Sequence, residues 1–231
     1  MYSLPKKLIA EFIGTFTLIF IGAGSICADH FLHDGGQGGI GVLGIALAHG
    51  LAIGIMVTAL GHISGGHFNP AVTIGFWVTK KMGTLESLAY WVAQLLGGIA
   101  GAYLLVAILP DSVWRAVQLG TPDLAADLIS RTQGMLLEGV MTFLLVFVVF
   151  ATAADPKGAF NKIAGFAIGL TITMDILLGG PFTGAAMNPA RALGPALAAH
   201  HWANHGVYWV GPLLGGVIAG FLYDWAFLRE A

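Results

Sequence analysis

Ser64-Gly65-Gly66-His67-Phe68-Asn69-Pro70-Ala71-Val72 and Gly184-Ala185-Ala186-Met187-Asn188-Pro189-Ala190-Arg191 are the stretches on which the architecture turns. Both pass through small residues to Asn-Pro-Ala. They belong to apolar stretches, about residues 64–79 and 183–199, that are too short to cross a bilayer. Asparagine is a favoured N-cap and proline fits the first helical turn, so each motif predicts a helix that starts there after non-helical chain. A half-helix of about 11 residues covers about 16 Å, roughly half the hydrocarbon thickness. Two of them end to end would cross once.

Around these pieces lie six apolar stretches long enough to span, roughly 8–28, 40–60, 85–109, 132–154, 162–180 and 206–228. The chain is 57% apolar and 10% charged with a mean hydropathy of +0.82, which is the composition of an integral membrane protein. A net charge of −2 with scattered basic residues gives no surface for nucleic acid. The lone Cys27 excludes an internal disulfide and a multi-cysteine metal site, and reads as a small hydrophobe. The first apolar run contains Glu11 and lacks a small-residue cleavage site, so it is expected to be the first span and not a removable signal.

Loop charges give the expected orientation. With the N-terminus inside, Lys6, Lys7, Lys80, Lys81, Lys157, Lys162 and Arg229 are internal, against Arg115, Arg131 and Arg191 outside. The loop at 29–39, with Asp29, His30, His33 and Asp34, is then external.

The sequence repeats itself. Glu11-Phe12-Ile13-Gly14-Thr15-Phe16 pairs with Glu138-Gly139-Val140-Met141-Thr142-Phe143, 127 positions on. The two Asn-Pro-Ala motifs are 119 apart, and Leu95-Leu96-Gly97-Gly98 pairs with Leu213-Leu214-Gly215-Gly216 at 118. The reading is one channel domain over 1–231, built of repeats at approximately 1–110 and 132–231. Each repeat holds three spans, and because three is odd the second must enter upside down, which makes the repeat inverted. The half-helices therefore enter from opposite faces and bring Asn69, Asn188 and two positive dipole ends to the midplane.

At these residues the chain resembles the aquaporins, or major intrinsic proteins. Its second half, with Ala151-Thr152-Ala153-Ala154-Asp155-Pro156-Lys157 and Val207-Tyr208-Trp209-Val210-Gly211-Pro212, is most similar to the tonoplast intrinsic proteins of plants. The resemblance implies an all-α fold of six transmembrane helices with two re-entrant half-helices, a homotetramer with one pore per protomer, and passive conduction of water. It also implies a filter at His49, Ile176, Ala185 and Arg191. Orthodox water channels have phenylalanine and histidine at the first two positions; His-Ile-Ala-Arg is similar to tonoplast-type filters, which as a group pass water and often ammonia, urea or hydrogen peroxide. Glycerol is disfavoured, since Ala192 stands where glycerol channels carry aspartate.

Read from the residues, Asn69 and Asn188 each direct a carboxamide N–H to the lumen while backbone ties the oxygen. A passing water then presents its oxygen to both, which interrupts proton transfer. An arginine as deep as Arg191 must face a water-filled cavity or be tied to carbonyls, and the two are compatible. Glu11 and Glu138 are expected to hold the N–H groups of the re-entrant loops, with proton coupling the sharper alternative. Asp175, beside Ile176, leaves three readings open: a protonated acid, a pair across a protomer interface, or a filter neighbour. His62 and His67 flank the first loop, where bonding its carbonyls and touching water are equally expected. Gly97, Gly98, Gly101, Gly215, Gly216 and Gly220 read as smooth faces for close helix crossing. His200, His201 and His205 read as solvated; no metal and no cofactor is expected. The partners expected are water, small neutral solutes and membrane lipid. A strict water channel is the first alternative and a secondary transporter the second, while no motif points to an enzyme. The termini are expected in the cytoplasm and the membrane to be the inner or plasma membrane.

Overall fold

The computed structural model describes residues 2–158 and 163–228. Lys162 and Arg229, counted above among the internal basic residues, lie outside the described residues. The helices run α1 (Leu4–Asp34), α2 (Gly41–Ser64), α3 (Pro70–Val78), α4 (Thr84–Ile108), α5 (Asp111–Ala116), α6 (Arg131–Val149), α7 (Ala164–Thr183), α8 (Pro189–Ala199) and α9 (Val207–Tyr223). Single π-helical turns, Phe150–Ala154 and Asp224–Leu228, extend α6 and α9. Six of these elements are long and apolar enough to span a membrane, and α3 and α8 are the half-helices. The chain is a multi-pass all-α membrane protein.

The boundaries differ from the sequence reading in two places that matter. Residues 29–34, expected in an external loop, continue α1, which is 31 residues long. Polar side chains do not end a helix that has left the bilayer; a breaker does, and the first is Gly35-Gly36. Likewise α7 runs on past 180 to Thr183, through Pro181, and stops only where Gly184 adopts φ +78.

The halves interlock by exchange of half-helices. α3 packs against α9, the last span of the second half, and α8 packs against α4, the last span of the first. Two symmetry-related glycines permit the contact: a Cβ at Gly98 would come within 2.7 Å of the Ala190 carbonyl, and one at Gly216 would collide with that of Ala71. Packing of α1 on α4, α6 on α9 and α2 on α7 completes the bundle. Large apolar residues such as Leu85, Leu96, Leu136, Phe166, Leu178 and Ile218 point outward, as lipid requires. At one end Lys7 and Lys81 pair with Glu86 and Asp224 at 2.7 and 2.9 Å.

Candidate functional site

Each half-helix begins as its motif predicts. Asn69 Oδ1 accepts the Ala71 N–H at 2.8 Å, and Asn188 Oδ1 accepts those of Ala190 and Arg191 at 2.9 and 3.2 Å. One Nδ2 hydrogen of each asparagine crosses to the other half, Asn69 to the Met187 carbonyl and Asn188 to the Phe68 carbonyl, both at 2.9 Å. An amide nitrogen carries two hydrogens, so one per asparagine is left over.

The chain leading into each asparagine is bent by matched positive φ values. Gly65, Gly66 and Phe68 have φ of 91°, 65° and 49°; Gly184, Ala185 and Met187 have 78°, 44° and 51°. Such residues outside glycine cost about 1–3 kcal/mol each and need support. The buried carboxylates supply it. Glu11 accepts from the Ser64 hydroxyl and the N–H groups of His67 and Phe68 at 2.6, 3.0 and 2.6 Å. Glu138 accepts from the Thr183 hydroxyl and the N–H groups of Ala186 and Met187 at 2.7, 2.9 and 2.7 Å. Tyr90 and Tyr208, 118 positions apart, donate to the Ser64 and Thr183 carbonyls at 2.8 Å each. With the N–H groups taken, the carbonyls of Gly65, Gly66 and His67, and of Gly184, Ala185 and Ala186, meet no donor among the described residues.

His49, Ile176, Ala185 and Arg191 come together with Asn69 and Asn188 around one narrow cavity. The rest of its wall is mostly aliphatic, with Leu18, Ile53, Val72, Leu145, Ile168 and Ile172. Arg191 is 2% exposed; its Nη1 donates to the Gly120 carbonyl at 2.9 Å and its Nη2 lies 3.3 Å from His49 Nε2, while Nε meets no acceptor among the described residues. His49 Nδ1 faces the Ile45 carbonyl at 2.9 Å, and a carbonyl only accepts, so the ring proton sits on Nδ1 and Nε2 receives from the guanidinium. His67 also lines the cavity, whereas His62 lies in a separate groove with Gly61 and Ala164.

Gly120 is a partner the sequence did not disclose, because a backbone carbonyl has no side-chain signature. It ends a run, Gln118-Leu119-Gly120, in which all three φ values are positive, and Leu119 anchors the run by complete burial. Tyr90 and Tyr208 were also missed, although their spacing equals that of the Leu-Leu-Gly-Gly repeat. Asp175 is 3% exposed, too enclosed to reach a neighbouring protomer, which removes that reading; its Oδ2 has no partner among the described residues. Of the outer histidines, His201 bonds Asp123 at 2.7 Å and His205 accepts from Trp209 at 3.0 Å, so they are structural neighbours and not freely solvated.

Asp123 also receives Asn204 Nδ2 at 2.9 Å and the Leu124 N–H at 2.7 Å, and Arg131 holds Asn204 at 2.8 Å. Burial raises the Asp123 carboxyl, but these bonds and the His201 charge outweigh it and leave the group below its ordinary value. A carboxylate lowered by folding contributes stability above its unfolded value, which is lost as pH falls through the folded one. Amide exchange of residues 119–124 is therefore expected to accelerate below about pH 4 while α4 stays protected. Unchanged protection in acid would mean that the clamp does not hold the loop.

A six-span bundle with two half-helices meeting at a lined cavity is the architecture of a membrane channel. The chain belongs to the major intrinsic protein family, whose description matches residues 1–223. It is 43% identical over 227 residues to aquaporin TIP4-4 of Zea mays, covering 97% of this chain and 88% of that one. It is also 43% identical over 227 residues to the probable aquaporin TIP3-2 of Arabidopsis thaliana, covering 95% and 83%. The aquaglyceroporin of Plasmodium falciparum shares the fold, with a TM-score of 0.80 over 97% of both chains at 24% identity.

Proposed function

We propose that the chain is a passive channel for water and for small neutral solutes such as ammonia, urea and hydrogen peroxide, and that it excludes protons and ions. The observation that carries this reading is the junction of Asn69 and Asn188. Each has one N–H left for the lumen, and the free carbonyls of the two loops supply acceptors on either side. Water can trade its bulk partners for this ladder along an otherwise aliphatic wall, and at the midplane its oxygen turns to both asparagines. Its lone pairs are then occupied, so a proton cannot hop past, and the positive ends of α3 and α8 with Arg191 oppose cations.

His49, Ile176, Ala185 and Arg191 form the filter in this reading. Ala185 and Ile176 add little polar demand, and His49 is held against Arg191, which favours solutes wider than water. Glu11 and Glu138 act as scaffold; their oxygens are occupied by loop donors, which argues against proton coupling and a transporter. The protein works as one domain over 1–231, without enzymatic activity, in a homotetramer set in lipid, with cytoplasmic termini in the cell membrane.

Stopped-flow light scattering on proteoliposomes tests the reading. Fast shrinkage under an impermeant osmolyte followed by urea re-swelling and ammonia-driven alkalinisation is expected. Fast shrinkage without solute entry would reduce it to a strict water channel, and no acceleration over empty vesicles would reject it. His49→Phe with Ile176→His is expected to suppress urea and ammonia flux by about tenfold or more while sparing water, the change that about 1.4 kcal/mol of barrier produces. Solute flux that stays the same in this double variant would count against the filter assignment.

A further inference from the structure

The first half of the chain carries a line of hydrogen-bonding side chains that the second half lacks. Gln94 Nε2 donates to Glu11 Oε2 at 2.8 Å and to Thr73 Oγ1 at 3.0 Å. Thr73 Oγ1 lies 3.1 Å from the Asn69 carbonyl and 3.0 Å from His67 Nδ1. The repeat-related positions of Gln94, Thr73 and His67 are Pro212, Ala192 and Ala186, which have no polar side chain. Glu138 serves its loop without any such line, so the scaffold alone does not require one.

The contacts fix where the protons are. A hydroxyl has one hydrogen and two lone pairs. Gln94 Nε2 can only donate to it, and the Asn69 carbonyl can only accept from it. If every contact is a hydrogen bond, the hydroxyl hydrogen goes to Asn69, and both lone pairs accept, from Gln94 and from His67 Nδ1–H. The alternative, with the hydrogen turned to His67, sets two oxygen lone pairs against each other across the 3.1 Å to Asn69. A neutral imidazole with its proton on Nδ1 presents a lone pair at Nε2. That nitrogen has no protein partner among the described residues, is not sealed off by its neighbours, and belongs to a residue that lines the cavity. His49 has the same tautomer, but its Nε2 is already occupied by Arg191.

We infer that His67 Nε2 is a fixed hydrogen-bond acceptor in the lumen, on the side of the asparagines away from Arg191, and that Gln94, acting through Thr73, is the positioning residue that sets its polarity. The ligands it suits are small neutral molecules that bring N–H or O–H to the wall: water, ammonia and amides of the urea type. This rests on the reading of the cavity as the conducting path. It adds a side-chain acceptor to the loop carbonyls at the end of the lumen away from Arg191, where the repeat-related Ala186 offers none at the other end.

The test is ¹⁵N solid-state NMR of the histidine ring nitrogens in lipid bilayers at neutral pH, with the His67 signals identified by their absence in His67→Gln. The native protein is expected to show His67 as the Nδ1–H tautomer. Thr73→Val leaves every Glu11 bond in place and is expected to give a mixture with Nε2–H, and Thr73→Ser to restore the native signal. Gln94→Leu should behave as Thr73→Val; should it not fold, the threonine pair carries the test. Ammonia flux relative to water is expected to fall about fivefold in Thr73→Val, the effect of one hydrogen bond of about 1 kcal/mol. A native Nε2–H tautomer, or an Nδ1–H signal unmoved in Thr73→Val, would overturn the inference. Since the tautomer is read without flux, the expected spectrum from a channel that passes water alone would reject the solute range and leave the acceptor standing.

Discussion

Glu138→Ala is expected to leave the second re-entrant loop without its support and to lower stability by about 4 kcal/mol or more. The substitution strands the N–H groups of Ala186 and Met187 and leaves the Thr183 hydroxyl only the Gly179 carbonyl at 3.4 Å, all buried. A buried donor left without a partner costs about 1–3 kcal/mol. The strained φ values at Ala185 and Met187 then lose what opposes them. Glu138→Gln keeps the shape and one acceptor, so its loss should be about half as large. The measurement is unfolding in mixed micelles with rising denaturing detergent, followed by helical circular dichroism. Glu11→Ala should behave in the same manner, since Glu11 supports the first loop through the same set of bonds and Gln94 besides. A Glu138→Ala protein as stable as the native one would remove the scaffold role.

Arg191→Val is the second large effect, and it falls on selectivity. The guanidinium holds the Gly120 carbonyl and His49 and belongs to the residue that closes the cavity wall beside Ala185. A hydrogen bond to a charged group contributes about 1.5–3 kcal/mol, so losing this donor set shifts a transport barrier by at least about one decade. Urea flux should rise by that factor, and protons should leak, seen as dissipation of a pH gradient in vesicles clamped with valinomycin. The Gly120 loop, freed at one end, should also exchange its amides faster. Vesicles that stay proton-tight with unaltered urea flux would show that the barrier lies elsewhere.

Much of this architecture was legible in the residues because the bilayer imposes simple rules. About twenty apolar residues in a row must be a helix there, so a stretch such as 8–28 announces itself, and Asn-Pro-Ala after glycine announces a helix start in mid-membrane. The duplication then paired Glu11 with Glu138 and Asn69 with Asn188, which gave both the scaffold and the junction. What lay hidden was whatever acts through backbone or from outside the bilayer. Gly120 contributes an oxygen that every residue has. The end of α1 at Asp34 is set by Gly35 and not by hydropathy. Gln94 and Thr73 were invisible for another reason: symmetry was the guide, and their repeat-related positions hold proline and alanine.

The exchange of half-helices also sets a constraint on how the protein is made. α3 is the third helix to leave the ribosome, yet the wall it packs against, α9, is the last. Until the second half arrives, α3 is a short segment with its end unfinished, because the carbonyl that Asn69 grips belongs to Met187 and its packing wall belongs to α9. The insertion machinery must therefore tolerate a half-entered helix through most of synthesis, and a chain stopped before α9 holds two asparagine caps but no closed path between them.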